Sequence, residues 1–399
     1  MSETTTREAY AADLADPASS PKPGIMATRD LANLNLLRTV GVGLVFVGHL
    51  TATMRVRALG DLGHFGVLLF FVHTALVLMF SMERLALSGT GLYASFVIRR
   101  IFRIYPLSVL TVLLVVVLRV PSTSWGTGFV WPGWPGLLSN ILLTQNITHS
   151  GSVDCVLCSL PFEVQMYAVL PLLYILIQCF TSLRSTLLIW LVTAAIAGLE
   201  YWLRGPAFDS DFLLLRYFPC FLAGVFAWRL LATRGGGAGL PGWLWVLVLM
   251  ALVFSYRVED ALRVYGPGLA DAFHGVLRND HRIYLPPYLD LVRDWVFCGI
   301  TGLALPFFSE ITSRWLNVVT KRVAQYSYGI YVCHVPIQWL CITRLHAGNV
   351  VVGAFLSVLL TVLVSVVLYH CVEHPGIQCG KRLATRLVSG IALKVRATG

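Results

Sequence analysis

Leu34–Met54 reads LNLLRTVGVGLVFVGHLTATM. Its length and apolar content are those of a segment that crosses a bilayer, which takes about 20 residues. Two side chains break the pattern, Arg38 and His49. At about 100° per residue the interval between them returns to within roughly 20° of the starting direction, so both share one helix face, about 16 Å apart along the axis. A charge inside a membrane helix is costly and usually faces a bundle interior or a water-filled cavity, which marks the pair as a candidate site. The plainer alternative is an Arg that snorkels to the interface and a His that bonds a neighbouring carbonyl.

The same composition continues outward from this segment. The chain has 399 residues, 57% hydrophobic and 13% charged, where a soluble domain carries roughly 25% charge. The fold class expected is therefore all-α, a polytopic bundle of about ten spanning helices. The cores fall near 34–54, 63–82, 102–120, 159–180, 184–203, 211–231, 239–256, 289–309, 326–345 and 349–372. Gly136–Leu143 is apolar but too short to span, as in a re-entrant or interfacial element. Residues 1–30 have the composition of a disordered tail and lack the basic start and apolar core of a signal peptide. Residues 31–375 form the membrane domain, and 376–399 a basic tail.

The net charge of +10 calls for no nucleic acid, because its distribution carries the information. Arg84, Arg99, Arg100, Arg103, Arg184, Arg229, Arg234, Arg314, Lys321, Arg322 and the basic tail all fall on one side if the N-terminus is inside, and loop 121–158 has no Lys or Arg. The positive-inside rule then puts both termini in the cytoplasm. Loop 257–294 is basic too, but its Arg residues alternate with acids. Most of the nine cysteines lie within helices as small apolar fillers. Cys155 and Cys158 form a C-x-x-C in an outer loop, where a disulfide is permissible. No second half of a zinc site accompanies them, so no metal is expected.

Three further constellations carry chemistry. Arg99, Arg100 and Arg103 cluster at the inner end of the third span, followed by Tyr105 and Pro106. Guanidinium forks suit phosphate oxygens, although a plain inner anchor has the same residues. Ser159-Leu-Pro-Phe-Glu163-Val-Gln-Met-Tyr167 opens the fourth span, with Glu163 and Tyr167 on one face. Counted along their helices, Glu163 and His49 both fall in the outer half and are expected to meet as an acid-base pair; the alternative for Glu163 is a helix-start cap. Finally, Gln325–Pro336 carries Ser327, Tyr328, Tyr331 and His334, with Pro336 expected to bend or break the helix. A lone membrane His, such as His334 or His73, is more often structural, and His370 and His374 belong to an inner helix end.

Together these residues resemble the acyltransferase family 3 membrane proteins, which modify bacterial surface glycans. The resemblance runs from about Leu36 to Leu383 in four ordered motifs: Arg-x10-His at Arg38 and His49, Arg-x-x-Arg at Arg100 and Arg103, Ser-Leu-x-x-Glu-x-x-x-Tyr at Ser159, Glu163 and Tyr167, and Ser-Tyr-Gly-Ile-Tyr-x-x-His-x-Pro at Ser327–Pro336. Glu373-His374-Pro375 is similar to the family's closing Glu-x-Pro. Thr74-Ala75 replaces the usual Ser-Gly of the second helix, and Cys158 stands where Trp commonly precedes Ser159.

The resemblance implies an acyl-CoA donor, commonly acetyl-CoA, a saccharide or glycolipid acceptor, and a multi-pass protein of the bacterial inner membrane. It implies roles for His49, Arg38, Arg100 and Arg103, and the chemistry above adds Glu163 as partner of His49 and Arg99 beside the donor phosphates. The expected route threads the donor from Arg100 and Arg103 past Arg38 to His49. Some members have an attached SGNH-type transferase domain; with about 25 residues after the last helix, direct transfer or a separate partner is expected here. Two other classes stay open, a secondary transporter or exporter of lipid-linked saccharide and a structural subunit whose polar residues hold helices together.

Overall fold

Every apolar stretch expected from the sequence holds a helix. The computed structural model describes residues 32–56, 62–179, 182–204, 214–234, 239–265, 287–345 and 349–398; the expected N-terminal tail lies outside them. The principal helices are α1 (Ala32–Thr53), α2 (Leu62–Leu85), α3 (Gly89–Val117), α4 (Gly133–Leu142), α5 (Leu160–Cys179), α6 (Leu183–Arg204), α7 (Leu214–Arg234), α8 (Gly242–Tyr265), α9 (Pro287–Ala304), α10 (Arg314–Gln338), α11 (Val350–Leu368) and α12 (His374–Thr398). Among the described residues β pairing amounts to one bridge, between Leu240 and Phe308.

Seven helical stretches among the described residues are long and apolar enough to cross a membrane, fewer than the ten expected. The shortfall falls on α8, α9 and α10. The apolar run of α8 is the shorter Gly242–Ser255. Charges interrupt the other two: Arg293 and Asp294 in α9, and Arg314, Lys321 and Arg322 in the first half of α10.

Packing shows which solvent these helices fit. α11 buries Gly353, Ser357, Thr361 and Ser365, one small residue per turn, and exposes Val351, Phe355, Leu359, Val362 and Val367. That is the reverse of a water-facing helix and the pattern of small-residue contacts between membrane helices. The stripe seats on α10, where a Cβ added at Gly329 would lie 3.0 Å from the Ser365 Cβ.

Close approach also positions α1. A Cβ at Gly48 would lie 2.5 Å from the Gly63 nitrogen, and one at Gly66 2.6 Å from the Gly41 carbonyl oxygen, so α1 and α2 touch backbone to backbone. On its other side α1 runs parallel to α10. The Thr39 hydroxyl donates to the Thr320 carbonyl at 3.1 Å, and Gln338 Nε2 donates to the Phe46 carbonyl at 3.2 Å. Pro336 does not end α10; the helix continues to Gln338 and then widens into a π-helical turn, Trp339–Arg344. A second π turn, Tyr369–Glu373, precedes α12. The stretch read as a basic tail is thus helical to Thr398, and it packs on α3: Cβ atoms at Gly376 and Gly380 would meet Phe102 at 2.7 and 2.6 Å.

Candidate active site

Four arginines from three helices converge on one chamber. A cavity of about 280 Å³ is lined by Arg38 of α1, Arg84 of α2, Arg100 and Arg103 of α3, and by Glu163, Tyr167, Ser327, Tyr328, Tyr331, Ser159 and His73. Arg38 is aimed by α10, its Nε donating to the Ser327 hydroxyl at 2.6 Å. Arg100 donates to the Ser81 hydroxyl at 2.9 Å and lies 5.5 Å over the Phe96 ring. Arg103 faces Glu373 of the second π turn at 3.6 Å. Glu373 is wholly buried, which makes it the counter-charge behind Arg103 rather than a chamber wall.

A second cavity, of about 390 Å³, adjoins the first and shares Arg84, Arg100 and Arg103 with it. Ser81, Leu85, Arg99, Ile377 and Lys381 complete its lining. Among the described residues, five cations and no carboxylate line this space. The Nε atoms of Arg99 and Arg100 are buried with no hydrogen-bond acceptor among the described residues. Buried donors without acceptors are unfavourable by about 1–3 kcal/mol each; the guanidinium forks and the ammonium that line the space suit an anion with several oxygens.

Glu163 does not meet His49. It accepts a hydrogen bond from the Tyr167 hydroxyl at 3.1 Å and lines the chamber together with Arg38 and Thr74. Counting residues from the start of the fourth span misplaced it because α5 starts deep. The 3-10 turn Cys155–Ser159 dips into the bundle and brings Ser159 to the Tyr331 hydroxyl at 2.7 Å. One turn further along α5, roughly 6 Å, Glu163 reaches the level of Ser327, one turn back along α10.

The partner of His49 is instead His334, whose Nε2 lies 3.2 Å from His49 Nδ1. His49 Nδ1 also lies 3.0 Å from the Val45 carbonyl. The His49 ring edge rests over Gly63, where a Cβ would stand 3.7 Å from His49 Cε1. Trp125, half-exposed, stacks parallel to His49 with centroids 6.5 Å apart. A hydrogen bond between Ser124 and Thr53 of α1, and another from the Thr343 hydroxyl to the Ser124 carbonyl at 2.7 Å, hold that loop down.

The chamber ends short of this pair. His49 is not among its lining residues, which corrects the expected open path from Arg38 to His49. Tyr331 stands between, donating to the Val156 carbonyl at 2.8 Å while its oxygen meets Ser159. Its ring centroid is 6.2 Å from that of His334. The remaining candidates are placed as follows. Tyr328 ties α10 to the Ile104 carbonyl at 2.9 Å. Tyr105 donates to the Leu142 carbonyl at 2.8 Å, joining α3 to α4 outside the chamber. His73 is a buried wall residue.

Sequence reasoning missed Lys381, Glu373 and Trp125 as site residues, and no local motif announced Lys381 or Trp125. Glu373 had a signal, the closing Glu-x-Pro, but not a partner. Cys155 and Cys158 are free thiols on the turn that carries Ser159.

No curated protein and no solved structure matches the chain. A family model described as an acyltransferase domain matches residues 31–370, which takes in α1 to α11, the arginine chamber and both histidines. With its apolar helices and inverted packing, this chain is a helical, multi-pass membrane protein that belongs to acyltransferase family 3.

Proposed function

We propose that the chain transfers an acyl group, acetyl being the commonest in the family, from cytoplasmic acyl-CoA to a saccharide or glycolipid hydroxyl at the other face of the bacterial inner membrane, with both termini cytoplasmic. The observation that carries this reading is the pair of adjoining cavities, a five-cation pocket that shares three arginines with a chamber stopping one turn short of two paired imidazoles.

Arg84, Arg99, Arg100, Arg103 and Lys381 hold the phosphates of the donor, whose oxygens suit guanidinium forks. The narrower pantetheine arm and its thioester enter the chamber beside Arg38. Tyr331 and Ser159 keep the thioester from water on the far side until the Tyr331 side chain swings aside. His49 then takes the acceptor hydroxyl's proton on Nε2. The oxygen bonds to the carbonyl carbon, the C–S bond breaks, and the thiolate recovers the proton from His49. General-base help of this kind is worth about 10² to 10⁴ in rate. The Trp125 face beside the base suits the C–H face of a sugar ring, an apolar wall next to a few polar groups.

The test is mass spectrometry of surface glycans from cells with and without the gene. Loss of an acyl mass on deletion, restored by the wild-type chain and not by His49→Ala, is expected. Unchanged glycans, with counterflow of lipid-linked saccharide in vesicles lacking CoA, would make the protein a transporter instead.

A further inference from the structure

Resting on the reading of His49 as base, we infer that His334 is its positioning partner, and that the two imidazoles work as one base through an Nδ1–H···Nε2 hydrogen bond whose proton belongs to His49. The acceptors around the rings fix this polarity. His334 Nδ1 lies 2.8 Å from the Tyr331 carbonyl oxygen and 3.0 Å from that of Ile330. A bare nitrogen there would set its lone pair against two oxygens, so Nδ1 carries the proton. A neutral imidazole has one donor and one acceptor, which makes His334 Nε2 the acceptor. His49 Nδ1 faces that nitrogen at 3.2 Å and the Val45 carbonyl at 3.0 Å, both acceptors, so it must donate. What remains is His49 Nε2, a bare lone pair with no hydrogen-bond partner among the described residues.

His334 does more than fix a tautomer that Val45 already favours. When His49 Nε2 accepts a proton, the new charge develops on an Nδ1–H aimed at an imidazole lone pair, in a site closed by Phe46 and by Tyr331, whose ring centroids lie 5.8 and 6.2 Å from that of His334. His334 passes part of that charge to the Ile330 and Tyr331 carbonyls through its own Nδ1–H. An orienter that holds a catalytic His by its second nitrogen is the general logic of base activation; here it is a neutral ring in place of a carboxylate. The helix supports it mechanically, since His334 is fully buried and Pro336 and the π turn follow directly.

The deciding experiment is nitrogen NMR on the full chain in liposomes with 15N-labelled histidine, the pair assigned through His49→Asn and His334→Asn. Expected are a scalar coupling between His49 Nδ1 and His334 Nε2 across the hydrogen bond, and the shift of a bare nitrogen for His49 Nε2. No coupling, or a protonated His49 Nε2, overturns the inference whether or not acyl transfer is observed. Kinetics give the second readout. His334→Leu should lower kcat at least about tenfold, and by no more than the roughly 10² to 10⁴ that general-base help supplies, with the KM for acetyl-CoA unchanged. His334→Gln, whose Oε1 offers an acceptor to His49, should retain more of kcat than His334→Leu. Full turnover in a folded His334→Leu protein would refute the partnership, and absence of transfer by the wild-type chain would instead refute the acyltransferase reading.

Discussion

Replacing Asp154 by Asn should stabilise the protein, and only above acid pH. Asp154 is buried at the start of the 3-10 turn Cys155–Ser159, with Oδ1 accepting from the Val156 amide at 3.3 Å and Oδ2 without a hydrogen-bond partner among the described residues. Burial pushes its carboxyl up from 3.8 to about 7, with the Val156 amide opposing the shift. In the unfolded chain the group ionises near 3.8, whereas the folded protein keeps the proton until about 7. Between those values the native state binds more protons, so stability falls as pH rises. The gap of about three pH units at 1.36 kcal/mol each sums to roughly 4 kcal/mol lost by pH 8. Asn keeps an oxygen for the Val156 amide and has no charge to desolvate. Thermal unfolding in detergent, followed by tryptophan fluorescence, should therefore show Asp154→Asn above the parent at pH 8 and level with it at pH 4. A variant equally shifted at both pH values, or less stable at pH 8, would refute the argument. The effect bears on function because this turn holds Ser159 and Val156 against Tyr331.

Other expectations follow from the same geometry. Arg100→Ala should weaken acyl-CoA binding roughly ten- to a hundredfold, the worth of one charge-assisted hydrogen bond, as read by titration calorimetry. If Arg84 and Lys381 grip donor phosphates, wild-type protein should bind CoA more tightly than dephospho-CoA, and the Arg84→Ala/Lys381→Ala double variant should bind both alike. Gly48→Leu should abolish folded protein in size-exclusion profiles, because its side chain would enter the Gly63 backbone, whereas Gly43→Ala, with nothing within 4 Å, should behave as wild type. Tyr331→Phe removes the hydroxyl that meets Val156 and Ser159; with the closure weakened, hydrolysis of acetyl-CoA without acceptor should rise.

Much of the bundle was legible because membrane helices are local objects, announced by length and apolarity alone. Helix faces were legible for the same reason: Arg38 and His49 do share a face, which lies along α10. Depth was not. Placing Glu163 beside His49 assumed that each span begins at the surface, and the buried 3-10 turn before α5 breaks that assumption. Pairings between distant segments were equally hidden. His334 read as an isolated membrane histidine until α10 lay against α1, and Glu373 had no visible partner until the second π turn brought it behind Arg103. Lys381 read as one charge of a basic tail because nothing local shows that α12 folds back onto α3.

The central claim is a division of labour, arginines for the donor's phosphates and His49 for the acceptor's proton. Purified protein in liposomes, supplied with labelled acetyl-CoA and a saccharide acceptor, tests it in one series of rate measurements. The wild-type chain should transfer label, Arg100→Ala should raise the KM for acetyl-CoA with little change in kcat, and His49→Ala should lower kcat about 10²- to 10⁴-fold with donor binding intact. A folded His49→Ala protein that transfers label at the wild-type rate would contradict the account.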